Sequence, residues 1–241
     1  MWSIFRKEVA SFFNSLIAYI VIGVFLLLNG WLFWIYPETS ILDYGYAEMD
    51  TFFQLCPFIL LFFIPAVTMR TFSEELRSGT MEYLLTRPVS LWGIILGKYL
   101  SCLLIFCLAL LPTLIYYFSL YGLGNPAGNI DSAAVAGSYF GLILLAGVYA
   151  AIGVFLSSLT KNQVVAFLVS ALVCYVVFVG LDQFSQLFSG SVQYLVAQVG
   201  LSIHYNSLGK GVLDSRDIIY MSSVSVLFLL LTYQSLNNIR K

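Results

Sequence analysis

Charge is what this sequence has least of. Only 10% of its 241 residues are Asp, Glu, Lys or Arg, while 60% are hydrophobic. A soluble domain carries roughly 25% charged residues. A water-exposed surface is therefore excluded, and the composition is that of a multi-spanning membrane protein. Histidine occurs once, at His204, which rules out a histidine cluster for metal and reads as a loop or interface residue. The four cysteines (Cys56, Cys102, Cys107 and Cys174) all lie inside apolar runs, with no C-x-x-C pair. They read as small hydrophobes rather than redox or metal groups. No G-x-x-x-x-G-K-[ST] phosphate loop is present, since Gly97-Lys98 is followed by Tyr99 and Gly209-Lys210 by Gly211. The chain is accordingly read as non-catalytic, with no cofactor of its own. Basic residues are confined to the predicted cytoplasmic loops and termini and two outer-loop positions, so nucleic acid is not an expected partner.

Long apolar runs are what the sequence does have. Residues 1–14 place Trp2, Phe5, Val9, Phe12 and Phe13 at spacings of three and four, with Arg6, Lys7, Glu8 and Ser11 on the other face. This predicts an amphipathic helix in the headgroup plane. The run that follows is too long for a signal-peptide core and lacks a small-residue cleavage site, so the segment reads as a retained anchor. Spanning helices are predicted at 15–36, 51–69, 91–121, 133–158, 163–182 and 218–236, each close to the ~20 residues a bilayer requires. Pro57 and Pro65 fall in the second span and Pro112 in the third; the first two predict a kink that leads toward the next loop. Gly93 and Gly97, and then Gly137 and Gly141, have the small-xxx-small spacing of close helix packing. Residues 187–203 are interrupted by Gly190 and Gly200 and predict a re-entrant or interfacial segment. HYNSLGKGVLDSRD, from His204, reads as a polar outer loop. The whole is one transmembrane domain, residues 1–241.

The interior holds one dense charged island, Arg70 to Lys98, with Arg77, Arg87, Glu74, Glu75 and Glu82 between its ends. Thr71 followed by Glu74 has the spacing of a capping box, and the acids fall where a helix dipole favours anions. Gly79 allows a bend, Met81, Leu84 and Leu85 form an apolar ridge, and Pro88 stops the helix. A short cytoplasmic helix with acids at one end and hydrophobes at the other is expected over residues 70–88. A solvated loop helix is the plainer alternative.

EELRSGTMEYLLTRPVS resembles the signature of ABC exporter permeases of the second type: an acidic pair, Gly-Thr, Glu, two leucines and a proline. Glu74, Glu75, Gly79, Thr80, Glu82, Leu84, Leu85 and Pro88 each match, and the resemblance extends over the chain. Within that family the sequence is most similar to the gliding-motility-associated permeases of Bacteroidetes. The resemblance implies an all-α integral membrane protein of the bacterial inner membrane. It would have six transmembrane helices, an N-terminal interfacial helix, a coupling helix between helices 2 and 3, and a re-entrant segment before helix 6. It also implies a separate cytosolic ABC ATPase that binds ATP-Mg and grips the coupling helix, a second permease copy, a possible larger auxiliary membrane subunit, and contact with the lipid bilayer. Two other readings stay open. One is a permease-like subunit that transmits force or assembles machinery without carrying a substrate. The other is an ATPase-independent secondary transporter, which would place acids or histidines at mid-membrane; here Asn29 and Asp182 lie at or near span ends.

Charge distribution orients the chain. With six spans and both termini inside, Arg6, Lys7, Arg70, Arg77, Arg87, Lys98, Lys161, Arg240 and Lys241 fall on one side, and only Lys210 and Arg216 on the other. Such a bias marks the first side as cytoplasmic. Topology reporters fused at residue 241 and at Pro126 should report opposite sides of the membrane; same-side signals would break the six-span reading.

Overall fold

The computed structural model describes residues 1–44, 48–86, 89–126 and 128–240, with the side chains of residues 43, 44, 85, 86 and 240 outside that description. Of the features read above, Arg87, Pro88 and Lys241, and the side chains of Leu85 and Arg240, fall outside the described residues.

Helices follow one another as α1 (Trp2–Phe13), α2 (Leu16–Trp34), α3 (Ile41–Tyr44), α4 (Asp50–Thr68), α5 (Ser73–Ser78), α6 (Met81–Thr86) and α7 (Leu91–Leu110). Then come α8 (Leu114–Leu123), α9 (Ser132–Ser157), α10 (Gln163–Tyr175), α11 (Leu181–Ser185), α12 (Ser191–Val199), α13 (Leu201–Leu208) and α14 (Ser215–Arg240). Among the described residues, six helical stretches are long and apolar enough to cross a bilayer: α2, α4 with α5, α7 with α8, α9, α10 with α11, and α14. The protein is all-α with six candidate spans, as expected. Two spans are less regular than the sequence suggests. A 3₁₀ turn at Leu111–Thr113 carries Pro112, and a π-turn at Val176–Gly180 interrupts the fifth.

α9 is the axis of the bundle. It packs against α14, α4, α10 and α7, and small residues let those neighbours come close. A Cβ on Gly141 would lie 2.7 Å from Leu208 Cβ, and one on Gly137 would lie 2.7 Å from the Gly211 carbonyl. The G-x-x-x-G face is therefore filled from within the same chain. The Gly93–Gly97 face is filled in the same way by α1: a Cβ on Gly97 would sit 3.2 Å from Ile4 Cβ. The face of α1 carrying Ile4 is buried on α7, while Trp2 remains exposed.

α4 runs through both Pro57 and Pro65 as one helix. A proline at 57 cannot bond the carbonyl of Phe53, four residues back. Tyr205 on α13 donates its hydroxyl to that carbonyl at 2.7 Å, which meets the demand of a buried backbone group in an apolar surround.

The stretch from His204 is not a polar loop. α13 continues to Leu208 and α14 begins at Ser215, which leaves residues 209–214 as the connection. Leu201, His204, Tyr205 and Leu208 recur at helical spacing and are all buried. The interspersed Asn and Ser residues mask that periodicity. His204 is likewise a core residue. Its Nδ1 lies 2.7 Å from Asp217 Oδ1, its Nε2 lies 2.9 Å from the Gln198 carbonyl, and its ring stacks on Tyr220 at 4.0 Å. α12, by contrast, buries no residue, and Gly200 separates it from α13 in an extended conformation.

Tyr205→Phe removes the partner of the Phe53 carbonyl while keeping the ring. It should cost ~1–3 kcal/mol of stability, the usual penalty for an orphaned buried polar group, read as a lower unfolding temperature of the detergent-solubilised protein. An unchanged unfolding temperature would show that Phe53 is satisfied some other way.

Candidate functional site

The charged island lies at the end of the bundle that also carries α1 and the 158–162 turn. Its central group is Lys98, which the hydropathy of α7 makes inconspicuous. Only 1% of its side chain is exposed. Nζ lies 2.9 Å from Glu8 Oε1 on α1, 3.1 Å from Glu75 Oε1 on α5, and 2.5 Å from the Thr71 carbonyl. The Phe72 ring centroid is 5.1 Å away. Lys7 joins from the exposed side at 3.5 Å from Glu75 and 3.8 Å from Glu8. Two ammonium groups and two carboxylates thus close a neutral cluster. Neutrality matters because an unpaired buried charge is strongly destabilising.

The start of α5 is held from across the bundle. The amides of Phe72 and Ser73 both donate to Ser157 Oγ on α9, at 3.0 and 3.1 Å. The capping box expected from Thr71 and Glu74 does not form. The helix begins one residue later, with Phe72 at its cap position and no side-chain cap of its own. Thr71 donates instead to the Thr68 carbonyl at 2.8 Å, and Glu74 pairs with Arg70 at 3.1 Å. A hydroxyl already aimed at the first-turn amides removes the need for a local cap.

α5 ends at Gly79, whose φ of +69° is the left-handed conformation that closes helices. Thr80 N donates to the Glu75 carbonyl at 3.0 Å, and α6 starts directly afterwards. The two short helices form a knuckle. Its inner side is Phe72 and Met81, both buried, with Leu76 and Leu84 partly buried against them. Its outer side is Arg77, Ser78, Gly79, Thr80, Glu82 and Tyr83, all exposed.

The residues picked out from sequence therefore separate. Glu74 is half exposed, and Gly79, Thr80 and Glu82 are exposed. Glu75 turns inward onto Lys98, with 13% of its side chain accessible. Leu84 packs onto the knuckle's own core rather than standing free. The side chain of Leu85 and all of Pro88 lie outside the described residues. Sequence reasoning missed Glu8, Ser157 and the exposed Tyr83. A lysine two turns into a predicted span, at Lys98, is the one signal that could have announced a buried partner.

The six-span bundle thus carries a charged, two-helix knuckle rooted in one end. The model of the ABC-2 family transporter proteins matches residues 5–240. The chain belongs to that family, and it is a membrane permease subunit of an ABC transporter. No curated protein sequence matches it.

Removing one partner from a buried ion pair typically costs ~3–5 kcal/mol. Lys98→Ala should thus sharply lower the unfolding temperature of the purified protein. The triple variant Lys98→Met, Glu8→Gln, Glu75→Gln, which has no charge left to strand, should recover most of that loss. If the triple is as unstable as Lys98→Ala, stranded charge is not the cause of the loss, and the ion cluster itself contributes net stability that apolar packing at 98 does not replace.

Proposed function

We propose that the α5–α6 knuckle is the coupling helix of this permease, the surface on which a separate cytosolic ABC ATPase acts. The observation that carries this reading is the contrast between the knuckle's two sides. Its outer side offers Arg77, Thr80, Glu82 and an exposed Tyr83 (75% accessible) to a partner. Its inner side is tied to α1 and α7 through Lys98 and to α9 through Ser157. A push on such a knuckle reaches three bundle helices through short, charge-assisted or doubly bonded contacts.

In this reading both termini are cytoplasmic, and ATP-Mg binds to the partner and not to this chain. The permease couples hydrolysis to export, or to conformational work, across the bacterial inner membrane, in the service of gliding motility. A second permease copy completes the pathway. An apolar groove between α2, α4 and α10, lined by Ile20, Val24, Leu28, Phe62 and Phe167, is a natural seat for that copy. A larger auxiliary membrane subunit belongs to the same proposal.

Exposed aromatic residues near the middle of an interface carry more affinity than the charges around them. Tyr83→Ala should weaken co-purification of the ATPase by about tenfold or more, the range of an interfacial hot spot. Glu82→Gln should act mainly on its salt dependence, and both variants should accumulate in the membrane at wild-type levels. Wild-type ATPase stoichiometry in Tyr83→Ala combined with Arg77→Ala would remove the knuckle from the interface.

A further inference from the structure

The end of the bundle opposite the knuckle holds a cavity of about 430 Å³ between α4, the π-turn and α13. This is within the range of small-ligand sites, which are mostly apolar with a few convergent polar groups and often lie between bundle helices. Its walls follow that pattern. Phe53 and Phe58 from α4, Phe178 from the π-turn and Tyr205 from α13 supply aromatic surface. Asp50 and Gln54 enter from α4, Asp182 from α11, and Lys210 from the connection after α13. A smaller cavity of about 290 Å³ shares Asp50, Phe53 and Lys210 as a common wall.

Asp50 and Lys210 are exposed at the rim of this cavity, and two features besides its charges, Ser202 and the π-turn, distinguish it from a solvated surface dip. Among the described residues, neither Asp50 nor Asp182 nor Lys210 enters an ion pair. Ser202 also lines the cavity, and its hydroxyl oxygen is buried without a hydrogen-bond partner among the described residues. The π-turn supplies Phe178 and Val179 to the wall, and π-turns inside α-helices are found preferentially at functional sites. The opposite wall is pre-formed. Tyr205 is bonded to Phe53, and α13 is fastened to α14 through His204 and Asp217.

The chemistry of the lining selects a ligand class. Carboxylates beside aromatic faces favour an ammonium group. A single lysine on the shared wall favours an anionic group on the same molecule. Phe58, 48% exposed, extends the aromatic wall outward, where an apolar body would lie. We propose that this cavity binds a zwitterionic head group, an ammonium and a phosphate or carboxylate on a short linker. Asp50 and Asp182 take the ammonium and Lys210 the anion. A membrane phospholipid of the ethanolamine type and a water-borne zwitterion share this chemistry. The site lies within one chain and does not depend on the ATPase reading.

The test uses the purified full-length chain in detergent, without ATPase, and calorimetric titration with three probes. These are short-chain phosphatidylethanolamine, phosphatidylglycerol of the same chain length, and phosphorylethanolamine without acyl chains. The ethanolamine lipid should bind once per chain, at least about tenfold tighter than the glycerol lipid. Asp50→Asn and Asp182→Asn should each weaken it by about tenfold, the worth of one charge-assisted contact, with the unfolding temperature unchanged. Lys210→Gln should weaken the ethanolamine lipid and phosphorylethanolamine together, each by about tenfold. Phosphorylethanolamine binding as tightly as the lipid would assign the site to a water-borne zwitterion; much weaker binding would assign it to the lipid. Equal binding of the two lipids, or wild-type affinity in the Asp50→Asn, Asp182→Asn double variant, would overturn the proposal and leave only nonspecific lipid contact.

Discussion

One ammonium group organises the charged end of this permease. Lys98 sits in an otherwise apolar helix, and its charge cannot be left unpaired there. Glu8 and Glu75 must both reach it, and they come from elements on either side of α7. The position of α1 and the orientation of α5 are therefore two answers to one electrostatic demand. The Thr71 carbonyl adds a third contact and fixes the turn between α4 and α5. Lys7, at the exposed edge, balances the second carboxylate.

The same logic runs through the rest of the bundle in backbone form. An apolar interior supplies no water to an orphaned amide or carbonyl, so each irregularity has to find a protein partner. Pro57 frees the Phe53 carbonyl, and Tyr205 takes it. The start of α5 offers two amides, and Ser157 takes both. These pairings are also what stiffen the bundle. They join α13 to α4 and α5 to α9, and they do so at points where a helix begins or loses a bond. The small residues of α9 bring the neighbours close enough for such contacts to form.

The two ends of the bundle consequently differ in character. Beneath the knuckle the charges of Lys98, Glu8, Glu75 and Lys7 are paired, and the outward face carries Arg77, Glu82 and one aromatic ring. At the opposite end, the carboxylates of Asp50 and Asp182 line an aromatic cavity and, among the described residues, enter no ion pair. The contrast is electrostatic: one end neutralises its buried charges internally, and the other presents carboxylates at a cavity.

Much of this was readable from the chain alone. Six candidate spans, an N-terminal helix and the charged island follow from hydropathy and charge, which are properties of short stretches. The bend at Gly79 was readable too, because a left-handed cap is a local preference of glycine. The burial of α13 was not, because the polar Asn206 and Ser207 of its opposite face stand between Tyr205 and Leu208 in the chain. Nor was the loss of the capping box between Thr71 and Glu74, since the residue that replaces it, Ser157, lies 85 positions beyond Phe72. Glu75 and Glu74 look equivalent in sequence; only the fold turns one onto Lys98 and the other toward solvent. By itself, then, the sequence determined the class, the number of spans and the place of the island, because transfer from water to lipid depends on local composition. The tertiary structure decided which charges are paired inside and which stay exposed. Those pairings join residues as far apart as Lys98 and Glu8, 90 positions, or Tyr205 and Phe53, 152 positions, and no local pattern encodes them.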